Sequence, residues 1–266
     1  MYRVTSFWKN TNRWHRLLFL FLLVELRVIP KRKLGFECND PKLSHPYTGD
    51  TISWKWLLST VSLLPLIILL LVERVYHKND MSKKRAIHWY KEYFYGMLIN
   101  LTLVQTLKIF VGAPRPHFFD SCKPLEASTC TVSEYIFKYT CNNERWVSES
   151  DTSFPSGHTS LAIHTGFFIA YYLQRRIKHI APNTTLGGQV LSVLASVFCS
   201  LSRITDRRHH PRDVIGGFVL AVPILIYTIF SLCRNFDCRE MEEEQSPTKE
   251  TEVTENGTLP IAEARD

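Results

Sequence analysis

Long apolar runs alternate along the chain with short, strongly charged stretches, and this spacing predicts helices that cross a bilayer. Seventeen consecutive residues, Trp56–Val72, carry no charge. At about 1.5 Å per residue they reach roughly 25 Å, close to the depth of bilayer hydrocarbon. Six segments are candidates: Trp14–Ile29, Trp54–Val72, Tyr93–Val111, His158–Leu173, Leu186–Leu201 and Val214–Cys233. The first is the weakest, because Leu17–Val24 is followed by Glu25 and Arg27. A cleaved signal peptide is its rival reading, but no small-residue cleavage site follows the run. Pro65 predicts a kink in the second segment. The expected class is therefore all-α and integral to a membrane. It has an N-terminal stretch 1–13, a six-helix domain 14–233, and a Glu-, Thr- and Pro-rich tail 234–266 read as disordered.

Composition sharpens this picture. The 266 residues are 45% hydrophobic and 21% charged. A mean hydropathy of −0.08 looks soluble only because it averages two unlike populations. The net charge of +7 fits nucleic acid, anionic lipid or a phosphorylated substrate. The Lys and Arg residues flank apolar segments, and neither a recognition helix nor zinc-finger spacing is present, so nucleic acid is set aside as a partner.

Loop charges orient the segments, since cytoplasmic loops are enriched in Lys and Arg. Arg74, Lys78, Lys83, Lys84, Arg85 and Lys91 follow the second segment, and Arg175, Arg176 and Lys178 follow the fourth. Both loops are expected inside, with both termini, and the long loop Gly112–Pro155 outside. Lys31, Arg32, Lys33, Arg203, Arg207, Arg208 and Arg212 then fall on the outer side and call for another reason. Of seven Cys, four (Cys38, Cys122, Cys130 and Cys141) lie in the outer loops. One or two disulfides are expected there, with three pairings open. Cys233 and Cys238 are either acylation sites or idle thiols. The sequons at Asn100, Asn183 and Asn256 fall in a membrane segment, an inner loop and the tail, where glycosylation is not expected.

Three patches near the outer ends of segments carry candidate chemistry. They are Lys108 with Arg115-Pro116; Pro155-Ser156-Gly157-His158; and Ser202-Arg203 with His209 and Asp213. Each alone has a bland reading: a snorkelling Lys, an ordinary helix start, a polar turn, an interface anchor. Together they put Lys, Arg, His and Asp on one side of the membrane at similar depth, where ionisable groups are costly and usually functional. Arg115 and Arg203 offer planar forks for phosphate oxygens, and Lys108 adds a point charge. The Ser156–Gly157–His158 stretch opens a helix whose free N–H groups suit a dianion. Of two histidines, one can attack phosphorus and the other protonate the leaving alcohol. Asp213 lies one turn from His209 if Pro211 starts a helix, and can hold the proton on one ring nitrogen. No acidic cluster suited to a metal lies nearby, so no metal and no cofactor is expected.

The patches read K-x6-R-P, P-S-G-H and S-R-x5-H-x3-D, and in this form they resemble the signature motifs of the type 2 phosphatidic acid phosphatase superfamily. Gly35-Phe-Glu-Cys-Asn-Asp, Pro46-Tyr47, Asp50-Thr-Ile and Arg115-Pro-His-Phe-Phe-Asp-Ser-Cys-Lys-Pro are similar to outer-loop segments of its lipid phosphate phosphatase branch. The resemblance covers about Gly35 to Cys233. It implies a six-helix bundle of the phosphatidic acid phosphatase type 2/haloperoxidase kind, an active site facing outside or the lumen, and magnesium-independent hydrolysis of lipid phosphate monoesters. It also implies roles: His209 as nucleophile, His158 as general acid, Asp213 orienting His209, and Lys108, Arg115, Ser156, Gly157 and Arg203 holding phosphate. The implied partners are lipid phosphates and the bilayer, with a homo-oligomer left open, in the plasma membrane or an endomembrane. Lys138-Tyr-Thr-Cys lacks the sequon common in that branch, and Asp206-Arg207-Arg208 makes the third motif unusually basic. The rival readings are a phosphatase for lipid diphosphates or soluble esters, an inactive scaffold that binds lipid phosphates, and a channel or transporter.

Overall fold

A computed structural model describes residues 12–26, 28–77, 81–131, 133–143 and 149–238. Of the tail 234–266 read above as disordered, residues 239–266 lie outside the described residues, whereas Arg234–Phe236 form a 3-10 turn in which Phe236 is buried, so the ordered domain runs past residue 233. The first eleven residues, Arg27, Lys78, Arg145 and the Asn256 sequon also lie outside the described residues.

The protein is mostly helical, and the helix starts follow local chemistry. Helix α1 (Arg13–Glu25) begins at Asn12, whose side chain accepts the Trp14 N–H. Helix α2 (Trp54–Tyr76) is capped by the Ser53 hydroxyl and contains Pro65. Helix α3 (Ser82–Val111) ends at Gly112, whose φ of 60° suits glycine. A side chain there would also strike the Arg32 carbonyl. A short helix α4 (Phe118–Cys122) lies in the long loop after α3. Helices α5 (Gly157–Arg176), α6 (Pro182–Thr205) and α7 (Pro211–Tyr227) complete the bundle, and a π turn, Thr228–Leu232, continues α7. Pro211 does start α7, as its position before Asp213 suggested.

Four helical stretches among the described residues are long and apolar enough to cross a membrane: Trp54–Tyr76, Ser82–Val111, Pro182–Thr205 and Pro211–Leu232. Their outward faces carry exposed Leu63, Ile67 and Leu71 on α2, Leu191 and Phe198 on α6, and Ile215 and Val219 on α7. Such faces belong in lipid, while the polar backbone is satisfied within each helix. Of the other two expected segments, α1 has 13 residues, and α5 has 20 but interleaves Ser, Thr and His with its apolar residues. Fifteen of the α5 residues are buried, so protein rather than lipid surrounds it. It packs on α6, α7, α2 and α3. Gly166 lets α6 approach so closely that a side chain there would meet Ser196.

One end of the bundle is tied by a single buried carboxylate. Glu73 accepts from Arg85 (3.2 Å), Arg176 (2.8 Å) and the Tyr172 hydroxyl (3.1 Å). Arg176 also lies over the Trp89 ring. The basic residues there are therefore partly structural. Cys233 is buried with its thiol towards the Trp89 carbonyl, which closes it to acylation. Packing continues past it through Phe236, which sits against Trp89, Phe168 and Tyr172.

At the other end the loops expected outside form a small core of Phe36, Leu43, Phe118 and Tyr139. Two disulfides pin it, Cys38–Cys130 and Cys122–Cys141, one of the three pairings left open by the sequence. A two-residue strand β1 (Phe36–Glu37) pairs antiparallel with β2 (Tyr135–Ile136), with Phe36 opposite Ile136. Two of the basic residues that broke the loop-charge bias have partners here. Lys31 pairs with Asp151, and Lys33 reaches the Tyr139 carbonyl.

Candidate active site

Backbone hydrogen bonds knit the three patches together. The Arg115 N–H donates to the Ser150 carbonyl and the Ser153 N–H to Ala113, which binds the end of α3 to the segment before α5. The Ser156 N–H donates to the Asp213 carbonyl (2.9 Å), which joins the start of α5 to the start of α7. The chain thus brings Lys108, Arg115, His158, Arg203 and His209 to one cavity of about 430 Å³, which Arg208, Asp50, Glu149, Tyr47 and Trp54 also line.

Asp213 lies behind His209 and is fully buried. Its Oδ2 accepts from the Ser153 hydroxyl (2.5 Å) and the His210 N–H (2.8 Å) and stands 3.7 Å from His209 Nδ1. The last distance is an ion-pair separation rather than a hydrogen bond. It still directs Nδ1 at the carboxylate, which leaves Nε2 as the other reactive nitrogen of the ring. Burial lowers the His209 pKa to about 3, helped by the charges of Arg115 and Lys108 and opposed by Asp213. A neutral imidazole is the form that can attack. His210 is adjacent in sequence but serves as the N-cap of α7, in a capping box with Asp213.

His158, in the first turn of α5, donates from Nε2 to the Ile52 carbonyl at 3.0 Å, and the Trp54 ring packs 5.3 Å away. A carbonyl only accepts, so Nε2 carries the proton. The Ser156 hydroxyl caps α5 by accepting the Thr159 N–H (3.4 Å) and the Thr159 hydroxyl (3.1 Å). Ser156 and Gly157 are buried at the helix start, beside the cavity rather than among its lining side chains. A Cβ at Gly157 would stand 3.6 Å from the Lys108 ammonium. That is ordinary contact distance, so Lys108 lies close to the N-terminus of α5, where both favour an anion.

Arg115 is buried, and its Nε has no hydrogen-bond partner among the described residues. Burial, then the nearby Arg208 charge, lowers its pKa to about 10, so it stays cationic at neutral pH. Arg203 is only 1% exposed and is paired with Asp50 and Asp206. Arg208 contacts Asp50 (3.0 Å) and donates to His117 Nε2 (3.3 Å). His117 is therefore neutral, with its pKa lowered to about 3 by burial and then by Arg115 and Arg208. This set of an activated imidazole, a proton-bearing imidazole and clustered cations suits transfer of a phosphoryl group.

Sequence reasoning missed Ser153, placed Asp50 only in an outer-loop segment of the resemblance, and left Arg208 without a role in the site. Asp50 lies 153 residues from Arg203, and its local sequence does not point to that partner. Ser153 stands just before the second motif with no signal of its own.

The chain is similar to several named proteins along most of its length. Phospholipid phosphatase 1 of Mus musculus is 29% identical over 258 residues, covering 89% of this chain and 89% of that protein. Its counterpart in Rattus norvegicus is 28% identical over 251 residues, with 88% and 87% covered. Phospholipid phosphatase 2 of Homo sapiens is 26% identical over 224 residues, with 78% and 76% covered. No solved structure matches. A family model described as the PAP2 superfamily matches residues 89–235. That span is more than half of the chain and holds Lys108, Arg115, His158, Arg203 and His209, which converge on the cavity, with Asp213 behind them; the chain belongs to the PAP2 superfamily.

Proposed function

We propose that this protein is an integral-membrane lipid phosphate phosphatase that hydrolyses lipid phosphate monoesters through a phosphohistidine. The substrate class includes phosphatidate, lysophosphatidate, ceramide 1-phosphate and sphingosine 1-phosphate. The convergence of Lys108, Arg115, Arg203, His158 and His209 on one cavity, with Asp213 buried behind His209, is the observation that carries this reading. The similar proteins from mouse, rat and human bear the name phospholipid phosphatase, which supports it.

The steps follow from the groups present. Lys108, Arg115, Arg203 and the N–H groups at Ser156–Gly157 hold the phosphate oxygens. His209 Nε2 attacks phosphorus as the bond to the lipid oxygen breaks, and Asp213 steadies the imidazolium that forms. His158, protonated on both ring nitrogens once the phosphate dianion is bound, gives one of those protons to the leaving alkoxide and becomes the neutral imidazole. It then takes a proton from the water that attacks the phosphohistidine, which releases inorganic phosphate and restores His209. These steps use no metal ion.

Val24, Trp54 and Ile109 also line the cavity, which suits an acyl chain that stays among helix ends while the headgroup enters. Six spans (α1, α2, α3, α5, α6 and α7) would then place the cavity on the outer or luminal side, with both termini inside. The basic loops after α2 and α5 support that orientation. The membrane is the plasma membrane or an endomembrane.

The test is phosphate release by purified protein in detergent from a panel of lipid phosphates, lipid diphosphates and soluble esters, with a chelator present. Release from lipid monoesters is expected to dominate and to survive chelation. Rapid quench with labelled substrate should trap label on His209. Label elsewhere, or loss of activity that magnesium restores, would defeat the mechanism.

A further inference from the structure

The phosphate-binding arginine of the third motif is not held by the motifs alone. Arg203 has five N–H donors in a rigid fork. Nε donates to Ser202 Oγ (3.2 Å), and Nη2 donates to Ser202 Oγ (3.1 Å) and to Asp206 Oδ2 (2.7 Å). Nη1 donates to Asp50 Oδ1 at 2.8 Å. One N–H remains, on Nη1, beside His158 Nε2 at 3.5 Å. His158 already carries a proton there, so this last N–H is the donor left for a phosphate oxygen.

Asp50 belongs to a strap, residues 47–54, that runs from the outer loop into α2 and lies outside the matched family span. The strap touches the site at each step. The Tyr47 ring lies under Arg208. Asp50 Oδ1 sits between Arg203 and Arg208, at 2.8 and 3.0 Å. Thr51 donates its N–H (2.8 Å) and hydroxyl (2.6 Å) to Asp206, the second carboxylate on Arg203. Ile52 accepts from His158, as described above.

We propose that Asp50 is a positioning residue for phosphoryl transfer: it fixes the Arg203 fork so that its one uncommitted N–H faces the phosphate. The proposal rests on the phosphatase reading. Asp50 is not a stand-in that blocks the fork until substrate displaces it. Arg203 is anchored at its other two nitrogens and cannot swing to follow a departing carboxylate. Removing Asp50 loosens a corner of the fork and leaves two neighbouring guanidinium groups without the charge between them.

The test uses the full chain in detergent, with phosphatidate as substrate and orthovanadate as phosphate mimic. Asp50→Asn is expected to raise both the KM and the vanadate inhibition constant by roughly 10–100-fold, the scale of a misplaced binding group. Its melting temperature should stay near that of wild type, and Asp50→Glu should recover part of the loss. In an Arg203→Lys background, Asp50→Asn should add little, because both changes act through one fork. Thr51→Val should raise the same constants more weakly, and it carries the test if Asp50→Asn does not fold. Unchanged constants, tighter vanadate binding, or losses that multiply with Arg203→Lys would overturn the proposal. Wild-type turnover separates the two readings: its absence removes the phosphatase assignment, whereas turnover indifferent to Asp50 removes only this inference.

Discussion

Replacing Asp213 by Asn tests the nucleophile assignment with little disturbance to the fold. An amide oxygen in place of Oδ2 can still accept from the Ser153 hydroxyl and the His210 N–H, so both helix-start contacts persist. What disappears is the charge 3.7 Å from His209 Nδ1. At an effective dielectric of about 20, two unit charges at that separation interact by about 4.5 kcal/mol. That attraction exists only once His209 has attacked and become an imidazolium, so its loss falls on kcat, by roughly 10³-fold. If the amide nitrogen instead turns towards Nδ1, it fixes the wrong tautomer and the loss approaches about 10⁴-fold. Asp213→Ala behaves differently. It strands the Ser153 hydroxyl and the His210 N–H at about 1–3 kcal/mol each, and stability falls with activity. Initial rates on phosphatidate in mixed micelles, single-turnover formation of phosphoenzyme, and melting temperatures would separate the two. A folded Asp213→Asn variant within about tenfold of wild-type kcat would refute the role of the carboxylate.

Three further outcomes follow from the same geometry. His158→Ala should slow phosphoenzyme formation by roughly 10²–10⁴-fold with alkoxide leaving groups; a low-pKa phenol leaving group should recover part of the rate, and equal losses on both would remove His158 as the acid. For sidedness, an impermeant thiol reagent on intact cells should label Lys42→Cys and miss Lys83→Cys, both at exposed positions, and the reverse pattern would put the site in the cytosol. For pH, burial lowers His117 and His209 to about 3 from 6.5. Between those values the unfolded chain holds more protons than the folded one, so their contribution is complete above about pH 6.5 and is lost as pH falls, by roughly 1.4 kcal/mol per pH unit per group. The melting temperature in detergent should therefore drop from pH 7 to 5, and a flat or rising profile would contradict the neutral, buried state of both rings.

The motif side chains were legible because each brings its own local scaffold. Ser156 caps the helix that carries His158, and Pro211 starts the helix whose first turn holds Asp213. Residues whose partners lie far along the chain were not legible. Spacing could not choose among three pairings of the loop cysteines, since that depends on β1 meeting β2 across about a hundred residues. Asp50 and Thr51 look like loop residues until the fold sets them against Arg203 and Asp206. The start of α3 was missed for a related reason. The helix begins at Ser82 rather than Tyr93 because polar Arg85 and Glu92 face protein, where Glu73 and Arg13 meet them.

Helix α5 shows why apolarity alone is a poor guide at the centre of such a bundle. A lipid-facing helix must be apolar because its side chains have no partners in hydrocarbon. Protein on nearly every side of α5 removes that requirement and substitutes another: each polar group must find a partner on a neighbouring helix. Ser160 donates to Asn100 Oδ1 at 2.6 Å, and Asn100 returns a hydrogen bond to the Ser160 carbonyl. The Thr165 hydroxyl meets that of Tyr93 at 2.8 Å. These links hold α5 to α3 below the cavity, the two helices that carry His158 and Lys108. The polarity that lowers the hydropathy of α5 thus fixes the distance between a proton donor and a phosphate-binding ammonium, a spacing that an all-apolar interface, free to slide, would specify less well.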